Sequence, residues 1–303
     1  MKTLGYVALW ATVSCFVTSA AFGSILPPNN LHLEKTTTTS GITEEEFNAA
    51  IDKVIAIYQP IIENEHDGVF VMNRLWTNNT VNASANQRSV GGETEWIVNM
   101  YGGLARRPEV TIDGFTLVIC HELGHHLAGY FFYGGFLGGW AASEGQSDYF
   151  ATQSCAREVW RNDLEDNAQF REFIEETPKN YCDAVWDTEA DQNLCYRTML
   201  ASKSLADLLA ALRGDTVDFA TPDSNEVSRS NDRHPAAQCR LDTYVAGATC
   251  LMDFDPMTIP GKIDGQASNS EEAEEESNLV SCARIAEFDQ GTRPRCWYRP
   301  LME

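Results

Sequence analysis

Positive charge is scarce in this sequence: 22 Lys and Arg stand against 44 Asp and Glu, for a formal net charge of −22 at pH 7. Proteins that hold nucleic acid rely on Lys and Arg contacts to phosphates, so that class of partner is excluded. Long apolar runs are scarce too. Beyond the first two dozen residues no stretch reaches the roughly 20 apolar residues of a membrane-spanning helix, and the richest, 128–140, is short and broken by glycines. Histidine is limited to six positions, so any clustering of it carries information. Core material is not lacking. With 43% hydrophobic and 10% aromatic residues, the chain is no disordered polymer.

The start of the chain reads as an export signal. Lys2 gives a basic beginning, Leu4 to Val17 is uncharged and apolar, and Thr18 to Gly23 offers small residues for cleavage. We assign 1–23 to a signal peptide, which predicts a periplasmic or extracellular protein with no stable membrane insertion after cleavage. Removing it takes Cys15 away and leaves eight of the nine cysteines, an even number that in an exported chain implies disulfides. Short loops favour Cys182 with Cys195, Cys239 with Cys250 and Cys282 with Cys296; Cys120 and Cys155 are then a fourth bridge or two buried thiols.

Residues 24–42 read as a linker, 43–256 as the main domain and 257–303 as an acidic, disulfide-tied extension. Thr43 followed by three glutamates, with Phe47, Ile51, Val54 and Tyr58 at helical spacing, predicts a first helix that ends near Pro60 to Glu63. Three β-rich segments within 68–101 predict a small antiparallel sheet. Helices are expected from Thr111 or Asp113 onward, over 143–160, over 164–176 and over 198–213. The fold class is therefore α+β and predominantly helical. The acidic run 271–276 reads as a solvated loop, because it lacks the alternating ligands and Gly turn of a calcium loop.

The chemistry centres on His121-Glu122-Leu123-Gly124-His125. On a helix, residues four apart share a face, so both imidazoles can reach one Zn2+ while Glu122 stands near a water bound there. A catalytic zinc usually takes a third protein ligand. Nineteen residues on comes Glu144, with Asp148 four further along. Glu144 is the expected third ligand, and Asp148 the carboxylate that fixes a ligand imidazole.

These motifs resemble the gluzincins, zinc peptidases with HExxH on one helix and a glutamate ligand on the next, and most closely the HtpX, BepA and CAAX prenyl protease type. Asn82-Ala83-Ser84-Ala85 is similar to that family's substrate strand, Ile97 to Leu104 to its strand and turn before the metal helix, and His234-Pro235 with Arg240 to its later conserved segment. The resemblance implies a zincin-like catalytic domain, one Zn2+ per chain, a polypeptide substrate laid along Asn82 to Ala85, and Arg240 holding the Glu144 carboxylate. His234 is then expected to stabilise the oxyanion or, alternatively, to cap the zinc in a resting form. Here the type takes an exported form without membrane helices.

The expected reaction is peptide hydrolysis: zinc lowers the pKa of its bound water toward ~7, and Glu122 serves as general base and then returns the proton to the leaving amine. A different class remains open, an envelope chaperone or scaffold that keeps the metal and uses the cleft only to hold partners. The aromatic segment from Gly129 to Trp140 is read as a pocket wall or lid, or equally as core packing.

Overall fold

Thr43 starts the first helix, α1 (Glu44–Glu65), through a capping box in which its side chain accepts from the Glu46 backbone and the Glu46 carboxylate reaches back to the Thr43 N–H. Such a cap is worth about 1 kcal/mol. The helix continues through Pro60 beyond its expected end. Phe47, Ile51, Val54, Tyr58 and Ile62 form its buried stripe. The computed structural model describes residues 23–35, 41–129, 132–133, 139–261, 274, 280–282 and 291–300.

Three strands follow: β1 (Gly68–Leu75), β2 (Ala83–Val90) and β3 (Glu93–Tyr101), ordered β1-β3-β2. The expected antiparallel sheet is corrected to a mixed one. The β2–β3 hairpin is antiparallel, but β1 lies parallel to β3, pairing Gly68 with Thr94 through Leu75 with Tyr101. Chain segments 76–82 cross over before β2, so β3 re-enters in the direction of β1. β2 is left at the sheet's edge.

After the short α2 (Gly102–Ala105), Thr111 caps α3 (Ile112–Leu127). Every residue of α3 from Asp113 to Leu127 is buried, as befits a helix hydrophobic nearly all round. It packs against α1, β2 and two later helices. Two dipeptide strands, β4 (Phe132–Tyr133) and β5 (Ala141–Ala142), pair antiparallel. Ser143 then caps α4 (Glu144–Phe150), which runs through a π-helical turn at Ala151–Cys155 into α5 (Ala156–Trp160). The remaining helices are α6 (Leu164–Gln169), α7 (Glu176–Asp183), α8 (Glu189–Ala211) and α9 (Ala237–Ala248). The fold is α+β, with one main apolar core between α1, the sheet, α3 and α8.

Four disulfides join Cys120 to Cys155, Cys182 to Cys195, Cys239 to Cys296 and Cys250 to Cys282. Two of the short-loop pairings are thus corrected. Cys239 lies in α9 and Cys250 just past its end, so a rise of 1.5 Å per residue sets them roughly 16 Å apart, too far for a bridge. Cys239–Cys296 and Cys250–Cys282 instead tie the last residues to either end of α9. Cys120–Cys155 pins α3 to the π turn. Glu274, in the acidic run, is buried and paired with Arg293 at 2.6 Å and with Gln146 of α4 at 2.8 Å, a departure from the expected solvated loop. The rest of that run lies outside the described residues. No described helix is long and apolar enough to cross a membrane.

Candidate metal centre

Two helices meet closely enough to share one ion. A Cβ on Gly124 would stand 2.8 Å from the Ser147 Cα, so the missing side chain at the second x position of the motif lets α4 approach α3. That approach carries Glu144, the first residue of α4, to His121 and His125. One ligand atom from each of the three lies within 4.8 Å of the others. His121 Nε2 is 3.3 Å from Glu144 Oε2, and His125 Nε2 is 3.7 Å from Glu144 Oε1.

The remaining ring nitrogens are engaged elsewhere. His121 Nδ1–H donates to Asp148 Oδ1 at 2.8 Å, and His125 Nδ1–H donates to the Ala142 carbonyl at 2.8 Å, with Ser147 Oγ 3.1 Å away. Both Nε2 atoms therefore face the shared space. They are buried without hydrogen-bond partners, as are Glu144 Oε2 and Glu122 Oε2. Buried polar atoms left unpaired are costly, and four aimed at one point fit a cation coordinated by two imidazoles and a carboxylate. Nitrogen and oxygen donors of this kind suit zinc.

The charges agree with that geometry. Burial would depress the His121 imidazole, but the Asp148 and Glu144 carboxylates outweigh it and raise its pKa to about 9. Burial dominates at His125, holding it down to about 4 and neutral. Burial also lifts the Glu122 carboxyl to about 8, the His121 charge opposing and Glu144 adding. Glu144 stays well below the usual carboxylate range despite its burial, because the protonated His121 imidazole, 3.3 Å away, favours its ionised form.

Arg240 reaches Glu144, as expected, and Asp148 more closely. Its guanidinium makes two bonds of 2.6 Å to Asp148, Nε to Oδ2 and Nη2 to Oδ1, and lies 3.7 Å from Glu144 Oε2. It grips the carboxylate that orients His121, more than the ligand itself, because α9 packs beside α4 at the level of Asp148. Tyr244, one helical turn further along α9, donates to Asp148 Oδ1 at 2.6 Å. The sequence reading did not single out Tyr244, although its i+4 spacing from Arg240 was available.

His234 is partly exposed. Its Nε2 lies 3.3 Å from Glu144 Oε1 and donates to the Ser24 carbonyl at 2.8 Å. Asn82 stands at the start of β2, and Ala83 and Ala85 are fully buried. Ser84 points to the opposite face, where its Oγ accepts from Asn99 Nδ2 at 3.1 Å. His126 stacks between Trp96 and Trp140, with centroids at 5.3 and 4.8 Å, and so belongs to packing. Of the aromatic segment, residues 130–131 and 134–138 lie outside the described residues. Comparisons with protein-family models, curated proteins and solved structures give no match.

Proposed function

We propose that this chain is an exported, zinc-dependent endopeptidase of gluzincin type, periplasmic or extracellular. The observation that carries the reading is the convergence of partnerless Nε2 and carboxylate atoms from His121, His125 and Glu144, with the Glu122 carboxylate beside them. Four disulfides fit folding in an oxidising compartment.

When bound, zinc supplies Lewis-acid polarisation of a peptide carbonyl and acidification of a water molecule. The rest falls to the chain's own groups. His121, His125 and Glu144 hold the ion, and Asp148 keeps the His121 ring in the tautomer that leaves Nε2 free. Glu122 takes a proton from the attacking water and passes it to the departing amine. His234 Nε2–H supports the carbonyl oxygen as charge develops on it. The edge of β2 holds an extended polypeptide by backbone hydrogen bonds, which demands little of the substrate's sequence.

The test measures zinc content and casein hydrolysis together. Wild type should carry one zinc per chain and cleave casein; Glu122→Gln should keep the metal and lose hydrolysis, and Glu144→Ala should lose both. Unchanged hydrolysis in Glu122→Gln at full zinc content would defeat the peptidase reading. Zinc at full occupancy in wild type without hydrolysis would favour a scaffold.

A further inference from the structure

The cleft beside the metal site contains a stretch of the chain itself. Residues 23–33 lie antiparallel to 79–85, paired with the free edge of β2 at Gly23 and with the chain just before β2 at 31–33, and bent between. Gly23 and Ala85 exchange both backbone hydrogen bonds, at 3.2 and 2.9 Å. Leu26 N–H donates to Asn82 Oδ1 and Asn82 Nδ2 donates to the Leu26 carbonyl, each at 3.2 Å. Val81 N–H donates to Leu31 O at 3.0 Å, and Leu33 N–H to Asn79 O at 2.8 Å. The expected linker thus includes a segment, paired at both ends, in the place expected for substrate.

One peptide unit of this segment is held at both ends by the catalytic groups. The Ser24 carbonyl accepts from His234 Nε2 at 2.8 Å, and the Ile25 N–H donates to Glu122 Oε1 at 2.7 Å. Arg240 Nη1 donates to the next carbonyl, that of Ile25, at 2.6 Å. A donor at the carbonyl oxygen and a proton carrier at the nitrogen are what hydrolysis of that bond requires. Side chains agree: Ile25 is fully buried and Leu26 nearly so, whereas residues 27–32 are exposed. A Cβ on Gly23 would meet the His125 ring at 2.4 Å, so the backbone before the held bond lies directly against a ligand imidazole.

We propose that, in the chain that still carries residues 1–23, the protein's first substrate is its own N-terminal segment, cut between Ser24 and Ile25. This rests on the peptidase reading above and extends it to a bond and a substrate class: chains with small residues before the bond and two buried aliphatic residues after it. In the step, the oxygen of water bonds to the Ser24 carbonyl carbon and the bond to Ile25 nitrogen breaks. Glu122 carries a proton from the water to that nitrogen. The products are a carboxylate on Ser24 and an amino terminus on Ile25. Until the cut segment leaves, it covers Glu122 against other polypeptides.

The experiment uses the full chain, synthesised under oxidising conditions without membranes and kept metal-free with chelator. Amide exchange is measured first, on metal-free Glu122→Gln: Val81 and Ala85, whose N–H groups face the segment, should exchange slowly, and should exchange fast in Glu122→Gln/Ile25→Asp. Fast exchange in the former overturns the seating. Zinc is then added to wild type and the new terminus read by mass spectrometry. A chain beginning at Ile25, formed at a rate independent of protein concentration and absent from Glu122→Gln, is the expected result.

Ile25→Asp should leave that junction uncut while still cleaving casein. Ile25→Pro, which stays apolar but removes the N–H that Glu122 accepts, should likewise leave the junction uncut and guards against misfolding of the first variant. Casein hydrolysis by wild type with the Ser24–Ile25 bond intact, or a cut elsewhere, overturns this proposal and leaves the peptidase reading standing. Zinc-loaded wild type that cleaves neither brings down both.

Discussion

His121 and His125, one turn apart on α3, have opposite surroundings. The side of the cradle facing α9 is charged: His121 donates to Asp148, which is gripped by Arg240 and Tyr244. The side facing β5 is neutral: His125 meets a backbone carbonyl and a serine hydroxyl. Equal burial gives one imidazole a pKa near 9 and the other near 4. A motif that looks symmetric in sequence thus supplies one strongly polarised imidazole and one kept neutral chiefly by desolvation.

Breaking the charged side should have the largest effect. Arg240→Met leaves Asp148 buried without its main counter-charge, and we expect a loss of about 3–5 kcal/mol in urea unfolding of the metal-free protein. A loss below about 1 kcal/mol would show that the α9 grip is dispensable. Next comes Asp148→Asn, which should weaken zinc binding ~10–100-fold in a chelator competition, since the imidazole loses the carboxylate that fixes it.

A pH measurement sharpens the same contrast from Glu122, which sits between the two rings. Its folded pKa of about 8 exceeds the ordinary 4.5, so the folded metal-free protein keeps a proton that the unfolded chain has released between those values. The stability linked to this proton is fully present below 4.5 and is lost as pH rises toward 8. Relative to wild type, Glu122→Gln should therefore gain stability from pH 5 to pH 8; a constant difference between the two would contradict the burial argument. The smallest effect belongs to the neutral side. Ser147→Ala should change zinc affinity by less than about 3-fold, because Ala142 still orients His125. If it matches Asp148→Asn, the asymmetry has no bearing on metal binding.

Much of the ligand set was legible because it is local. His121, Glu122 and His125 follow from helical spacing, and Glu144 with Asp148 from the next helix, whose Ser143 cap is itself a sequence signal. Asn82 to Ala85 were legible only as a pattern; that β2 is an edge strand depends on β1 joining β3 in parallel. Arg240's closer partner, Asp148, and the contact of Tyr244 were illegible, because the packing of α9 on α4 decides which carboxylate the guanidinium grips most closely.

By itself the sequence determined the periodicities, caps and chemistry of single elements: an α+β chain, acidic, rich in cysteine, with donors for one metal ion spaced along two helices. Tertiary structure alone decided the partners of Cys239, Cys250, Cys282 and Cys296, the opposed surroundings of the two histidines, and the passage of residues 23–33 through the cleft. The reason is physical. Helical spacing operates over a few residues, whereas Ile25 meets Glu122 across 97 positions and Arg240 across 215, contacts fixed only once the whole core has packed.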